Sequence, residues 1–168
     1  TNYGVDRFDT RDRRIEMLAG FQRVYKFAAR SRDEAFFLHG NKLYGYVASR
    51  GAFEPVDVRG AELNGVLRMC LDGDGVLWLV RSEDIRCAQV AYDAGGRASV
   101  GEWERMPLPD GVVFTRYDGD RTIFFTDRNG MLFRFDTGQR RAFPIFDLRE
   151  ELGRRGALSS VISDKDDY

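Results

Sequence analysis

Short apolar runs separated by turns rich in Asp and Gly recur along the whole chain. The clearest are Val66–Leu71 and Val76–Arg81, which are joined by the turn Asp72-Gly73-Asp74-Gly75. Runs of about six residues bounded by such turns are typical of antiparallel strands in hairpins. The pattern of apolar and polar positions therefore predicts an all-β protein.

The runs also repeat at a fixed spacing. Segments beginning at Asn64, Asp110 and Gly156 align with one another at an offset of 46 residues each time. A second alignment, of Val5–Arg14 with Leu132–Arg141, has an offset of 127 residues, or three units of roughly 42. A period in the low forties with four strands per unit is the spacing of a β-propeller blade. We therefore expect about four blades, each a four-stranded antiparallel sheet.

The blade units divide the chain, which we treat as one propeller segment over residues 1–168. In order, the units are a partial blade over 1–18, blades over 21–58, 64–106 and 110–146, and a partial blade over 157–168. Phe146–Arg155 interrupts the repeat and predicts a short helical turn capped by Asp147.

Two details of the blades can be predicted from the pattern. The fourth strands of the second and third units are expected over Phe53–Val58 and Gly101–Met106. Aromatic residues close the third strand of each unit and are expected to fill the wedge between neighbouring sheets. They are Phe8, Tyr46, Tyr92 and Phe135.

The segment from Val66 to Leu79 carries a motif: an apolar strand, Asp72, two residues, Gly75, one residue, then Leu77-Trp78. It resembles the repeat of two-component regulator propellers, although Val80-Arg81 replaces the usual Gly-Thr. The resemblance implies the extracytoplasmic, periplasmic sensor region of an inner-membrane hybrid histidine kinase. In that family the propellers often recognise carbohydrate fragments. The resemblance also implies a ring of seven blades, which needs about 300 residues, so the chain is expected to be an arc of that larger, seven-bladed propeller and a piece of a longer protein.

On this interpretation the chain binds a small molecule, such as an oligosaccharide, and passes the signal to a kinase outside the chain. Its partners would be the remaining blades and the downstream signalling domains of the same protein. A second copy of the chain, in a homodimer, is a further candidate partner. The segment itself is not expected to be an enzyme. Two alternatives remain: a protein-interaction propeller of the WD or kelch type, and a propeller enzyme such as a lactonase, lyase or glycosidase.

Composition argues against several other functions. The net charge is −1, from 26 basic and 27 acidic residues, which does not favour nucleic-acid binding. The single histidine excludes a multi-histidine metal site, and no nucleotide-binding or catalytic motif is present. We therefore predict no catalytic residue, metal or cofactor. The spacing of Asp72 and Glu83 is that of a calcium loop, but Val76 and Leu77 occupy its inner positions, which favours a strand-to-strand turn.

The two cysteines are predicted to be unpaired. Cys70 and Cys87 fall on strands separated by Val76–Arg81. Strands two apart lie roughly 9–10 Å from each other, beyond the reach of a disulfide.

Propeller geometry predicts where a ligand would bind. Loops that join second to third strands open on the same face as the connections between blades. In this chain they carry side chains that hydrogen-bond hydroxyl and carboxylate groups. The candidate ligand-binding residues are His39, Asn41, Arg81, Glu83, Asp84, Asp127, Arg128 and Asn129.

Overall fold

The computed structural model describes residues 5–21, 24, 26–108, 111–117 and 121–149. Within these ranges the regular structure consists of β-strands, apart from Leu148 and Arg149, which are helical. In chain order they are β1 (Val5–Asp9), β2 (Arg14–Ala19), β3 (Lys26–Ala29), β4 (Ala35–His39), β5 (Lys42–Val47), β6 (Ala52–Pro55), β7 (Asp57–Val58), β8 (Val66–Leu71), β9 (Val76–Arg81), β10 (Asp84–Tyr92), β11 (Ala98–Val100), β12 (Glu104–Pro107), β13 (Val112–Tyr117), β14 (Thr122–Asp127), β15 (Met131–Asp136) and β16 (Arg141–Asp147). In the same part of the chain, no helix is long and apolar enough to cross a membrane.

Three antiparallel four-stranded sheets follow one another along the chain. Blade 2 is β3-β4-β5-β6, blade 3 is β8-β9-β10-β12, and blade 4 is β13-β14-β15-β16. The described part of blade 1 is the hairpin β1-β2. The predicted all-β fold with four-stranded blades is confirmed.

The blades meet through their first strands. β3 lies against β8, and β8 lies against β13. Across the second of these contacts, the guanidinium of Arg68 donates a hydrogen bond to the carbonyl oxygen of Thr115 at 3.0 Å. At the other edge β2 contacts β6, both of them last strands. Successive first strands are thus innermost, as in the blades of a propeller.

The repeat extends to a local irregularity in the inner strands. β8 shifts register between Val66 and Arg68, and β13 shifts between Val112 and Phe114, the equivalent position. The residues within these bulges, Leu67 and Val113, are 43% and 66% exposed. A bulge that recurs at the same point of two repeats is a feature of the blade design.

Strand β9 connects two hydrophobic clusters because its side chains alternate between its two faces. Leu77 and Leu79 pack into the wedge between blades 2 and 3. Trp78 and Val80 pack into the wedge between blades 3 and 4, where the Trp78 ring meets that of Phe135 edge-on at 5.8 Å. The continuous apolar run of this strand is explained by burial on both faces.

The indole of Trp78 is paired with the carboxylate of Asp72. Trp78 is 2% exposed, and its Nε1–H donates to Oδ2 of Asp72 at 2.7 Å. The other oxygen, Oδ1, accepts the backbone N–H groups of Asp74 and Val76 at 3.0 and 2.9 Å. The carboxylate therefore closes the β8–β9 turn and satisfies a buried donor, which supports the turn interpretation over a calcium loop.

The cysteines flank this tryptophan. Cys70 on β8 and Cys87 on β10 are both in register with Trp78 on β9. Both are buried and free, so the prediction that they stay unpaired is confirmed. Burial also raises the pKa of the Cys87 thiol.

Two predicted fourth strands were wrong. Phe53–Val58 divides into β6 and β7, and Gly101–Met106 is replaced by β11 and β12. The reason is the length of β10, whose first half pairs with β12 and whose second half pairs with β11. β11 in turn pairs in parallel with β7, which attaches the end of blade 2 to blade 3.

The predicted helical turn is also corrected at its start. β16 runs to Asp147, so Phe146 belongs to a strand. Asp147 still accepts the backbone N–H of Arg149 at 2.9 Å, as a capping residue would. Leu148 and Arg149 are helical, as the predicted turn requires. Residues 150–155 of the turn and the strand predicted over Leu158–Asp164 lie outside the described residues, so the arc hypothesis stays a prediction.

Replacing Asp72 tests its contribution to the fold. Asp72→Ala leaves the buried indole N–H and two backbone N–H groups without their acceptor, so we expect a loss of roughly 3 kcal/mol in the free energy of unfolding. Urea denaturation measures it. Asp74→Ala is the matched control, because that carboxylate is 70% exposed and its ion pair among the described residues is with the exposed Arg121. Equal stability of the two variants would contradict the account.

Candidate functional site

The candidate residues lie on one rim of the blades, here called the upper rim. It consists of the loops at residues 40–41, 82–83 and 128–130 and the connections at 59–65 and around 108–111. His39 and Arg81 end strands, Asp84 begins one, and Asp127 ends another. Asn41, Glu83, Arg128 and Asn129 are exposed in the loops.

Blades 3 and 4 meet around Gly111, which brings two of the predicted loops together. A Cβ atom on Gly111 would lie 3.1 Å from Nε of Arg128 and 3.5 Å from the carbonyl oxygen of Ser82. Ser82 also accepts the N–H of Val112 at 2.7 Å, and the Glu83 carbonyl accepts the N–H of Leu108 at 2.9 Å. Arg128 therefore lies beside the loop that carries Arg81, Glu83 and Asp84.

A cleft of about 450 Å³ opens on the same rim between blades 2 and 3. Its polar lining includes Lys26, Asn41 and Asn64, and its apolar lining includes Leu63 and Leu67. The volume lies within the range of about 300–1,000 Å³ typical of small-molecule sites.

Arg81 connects the cleft with the loops around Gly111. A Cβ atom on Gly65, which lines the cleft, would lie 3.8 Å from a terminal nitrogen of Arg81. Gly65 and Gly111 occupy equivalent repeat positions and have φ values of 70° and 72°, a conformation that favours glycine. Each of these two glycines thus has an arginine against it, and both guanidinium groups lie at the upper rim.

Asp84 is one of the buried acidic residues of this rim. Its side chain is 4% exposed and accepts hydrogen bonds from Arg105 at 2.6 Å and Arg86 at 3.2 Å, while Arg81 lies at 4.0 Å. Burial alone would raise the pKa of Asp84, but the hydrogen bonds from Arg86 and Arg105 outweigh it, and the pKa is lowered. The carboxylate is therefore ionised and holds these arginines in place.

His39 does not face the cleft, because successive side chains of β4 point to opposite faces of the sheet. Leu38 lines the cleft, whereas the His39 ring packs against Phe21 at 5.1 Å, in a cluster with Phe37 and Tyr44. Its Nδ1 is buried and has no hydrogen-bond partner among the described residues. The structure places His39 in an aromatic cluster and Asn41 in the cleft.

Asp127 closes the turn between β14 and β15. It is 6% exposed, and its Oδ1 accepts the N–H of Met131 at 2.9 Å. The next residue, Arg128, is exposed, and its carbonyl oxygen accepts a hydrogen bond from Arg149 at 3.0 Å. Asp127 and Arg149 thus hold the loop that presents the Arg128 guanidinium.

Sequence reasoning missed Lys26, Asn64 and the two connecting glycines. The signal for Asn64-Gly65 was available, because it aligns with Asp110-Gly111 at the 46-residue repeat. Lys26 had no such signal. It enters the cleft only because β3 and β8 are neighbours across the inner edge.

Comparisons with known proteins show the fold. No family model and no curated protein sequence matches the chain. Among solved structures, PorZ, an essential bacterial surface component of the type-IX secretion system of Porphyromonas gingivalis, is 16% identical with a TM-score of 0.57. The match covers 86% of this chain and 19% of PorZ, so the chain spans about a fifth of that protein's length.

A second neighbour is a protein of unknown function from Bacteroides thetaiotaomicron. It is 12% identical with a TM-score of 0.48, over 77% of this chain and 33% of the other. At these identities the likeness concerns the fold alone, and the two-component repeat family stays a prediction.

Replacing Asp84 should give a pH-dependent loss of stability. Because the folded-state pKa is below the ordinary value of 3.8, the stabilisation is present above that value and is lost as the pH falls through the folded-state pKa. We expect Asp84→Asn to cost about 2 kcal/mol in unfolding free energy at pH 7, where charge-assisted hydrogen bonds are lost. The difference from the native chain should shrink on acidification.

Urea denaturation across the acidic range measures this difference. Glu83→Gln is the control, since Glu83 is exposed in the neighbouring loop. A stability difference for Asp84→Asn that does not change with pH would show that its charge is unimportant.

Proposed function

We propose that this chain is the ligand-binding β-propeller segment of an extracytoplasmic bacterial sensor, and that its upper rim recognises a small ligand with hydroxyl and carboxylate groups. A carbohydrate fragment is the class that fits. The output, such as a histidine kinase, would lie in other parts of a longer protein.

The observation that carries the proposal is a set of three basic side chains at the upper rim that form no close ion pair within the described part of the chain. Lys26 lines the cleft, Arg81 lies beside its Gly65 wall, and Arg128 lies across the next connection. Among the described residues, neither Lys26 nor the Arg128 guanidinium has an acidic partner, and Arg81 has only the 4.0 Å contact with Asp84. Guanidinium groups of this kind form strong hydrogen bonds with carboxylates. Asn41 and Asn64 add amide groups that can pair with hydroxyls.

Two further considerations support an extracytoplasmic sensor. The motif from Asp72 to Trp78 resembles the repeat of propellers that serve as sensor regions. PorZ, a solved structure with a similar fold, is a bacterial surface component. Location and signalling are part of the proposal.

Titration calorimetry with uronic-acid disaccharides tests the proposal. The panel contains the disaccharides of galacturonate, glucuronate and mannuronate, together with their uncharged counterparts. We expect saturable binding of at least one charged disaccharide, and at least tenfold weaker binding by the double variant Arg81→Gln/Arg128→Gln. Loss of two charge-assisted hydrogen bonds exceeds the roughly 1.4 kcal/mol that a tenfold change requires.

Arg32→Gln is the matched control, since its side chain is 80% exposed in the loop at residues 31–33 on the opposite rim. It should bind like the native chain. The proposal is wrong if no charged disaccharide binds, or if the double variant and the control bind equally well.

A further inference from the structure

A second cleft, of about 580 Å³, lies between blades 2 and 3 on the opposite rim, here called the lower rim. It is formed by the turns before β4, after β5 and after β10. Tyr46, Ser49 and Tyr92 contribute hydroxyl groups, Asp33 and Glu34 contribute carboxylates, and residues 94–96 contribute small side chains and backbone.

Tyr92 has an unusual position for the aromatic residue that closes a third strand. Tyr46 and Phe135, at the corresponding places of blades 2 and 4, are 7% and 1% exposed and fill wedges. Tyr92 is 43% exposed, so the expectation that it fills a wedge was wrong. Because β10 has nine residues and continues past its pairing with β9, the ring is carried beyond the core to the wall of the lower cleft.

The Tyr92 ring is held in place across the two blades. Its hydroxyl donates to Oε1 of Glu34 at 3.1 Å, and Oε2 of Glu34 accepts Nε of Arg30 at 2.6 Å. Arg30 also donates to the carbonyl oxygen of Gly73 in blade 3 at 2.8 Å. This network fixes the half-exposed ring before any ligand binds. The Tyr92 side chain therefore loses little conformational entropy on binding.

The other wall is tied to blade 2 as well. The Ser49 hydroxyl donates to the carbonyl oxygen of Gly95 at 3.4 Å. Nearby, Arg97 donates to Glu54 at 2.9 Å, and Arg50 pairs with the same carboxylate. Contacts from both blades therefore shape the cleft.

The charges at this cleft are compensated within the protein. Glu34 is occupied by Arg30 and Tyr92, and Arg97 is paired with Glu54. Burial and the charge of Glu34 raise the pKa of Tyr92, so its hydroxyl stays neutral. Asp33 is 63% exposed at the mouth, and its ion-pair contact among the described residues is with Arg32 at 3.9 Å. Its carboxylate can therefore accept a ligand hydroxyl. An anionic ligand would find no unpaired cation among the lining residues.

We infer that the lower cleft binds a neutral saccharide, with a sugar ring packed against Tyr92 and its hydroxyls bonded to Ser49, Asp33 and the backbone carbonyl oxygens of residues 94–96. The N–H groups of Gly95 and Gly96 are already bonded to Asp93. An exposed aromatic ring provides the apolar contact for the C–H face of a sugar ring, and the surrounding hydroxyl, carboxylate and carbonyl groups pair with its hydroxyls. This site is separate from the upper rim and does not depend on the function proposed for it.

Titration calorimetry of the native chain with maltose, cellobiose and mannobiose tests the inference. We expect saturable binding of at least one disaccharide and at least tenfold weaker binding by Tyr92→Ala. Tyr92→Phe keeps the ring and removes only the hydroxyl, so it should bind within a fewfold of the native chain. Ala94→Trp fills the cleft without changing its other lining residues and should abolish binding.

The controls separate a binding effect from a folding effect. Phe146→Ala removes an aromatic ring that is also 43% exposed, but on blade 4, and should bind like the native chain. Arg81→Gln/Arg128→Gln should likewise leave neutral-sugar binding unchanged, so failure at one rim can be told from failure at the other. The inference is overturned if none of the three disaccharides binds, or if Ala94→Trp binds as tightly as the native chain.

Discussion

The hydrogen bond between the Trp78 indole and the Asp72 carboxylate is the interaction on which the packing of blades 3 and 4 depends. A tryptophan that fills the wedge between two sheets is stabilised when its buried N–H is paired, because an unpaired buried donor is costly. Asp72 supplies the acceptor at 2.7 Å while its other oxygen closes the β8–β9 turn. The same carboxylate therefore closes a turn and pairs with a side chain of the hydrophobic core.

This coupling explains the spacing of the sequence motif. Asp72 must begin the turn, Gly75 adopts φ 79° within it, and Leu77 and Trp78 then face opposite wedges. The segment therefore determines one turn and contributes to two hydrophobic clusters. Its likeness to a repeat of sensor propellers has a physical cause in blade construction, and for that reason does not by itself identify a function.

The upper rim follows from the blade arrangement. Because the first strands meet along one inner edge, the connections that precede them return to the same face as the loops between second and third strands. Gly65 and Gly111 recur at the same place in two repeats, and each is approached by an arginine. The two glycines therefore occupy a repeated backbone position, whereas Arg81 and Arg128, which approach them, do not occupy equivalent positions of the repeat.

Local patterns predicted much of the fold. The bounds of β4, β8, β9 and β13 match the apolar runs, since each is bounded by turn residues. The pairing of β7 with β11 could not be predicted, because it joins two short segments about one repeat apart in a parallel pairing that neither sequence signals on its own. For the site, loop position predicted Asn41, Arg81 and Arg128 at the rim. It could not separate His39 from the cleft, because that depends on which face of β4 the ring occupies.

Hydrogen exchange of the two indole N–H groups tests the central claim most directly. Trp103 is half-buried between β11 and β12, and its Nε1 has no hydrogen-bond partner among the described residues. The account predicts that the Trp78 indole N–H exchanges only on cooperative unfolding, and that the Trp103 indole N–H exchanges much faster through local opening. Exchange of Trp78 as fast as that of Trp103 would contradict it.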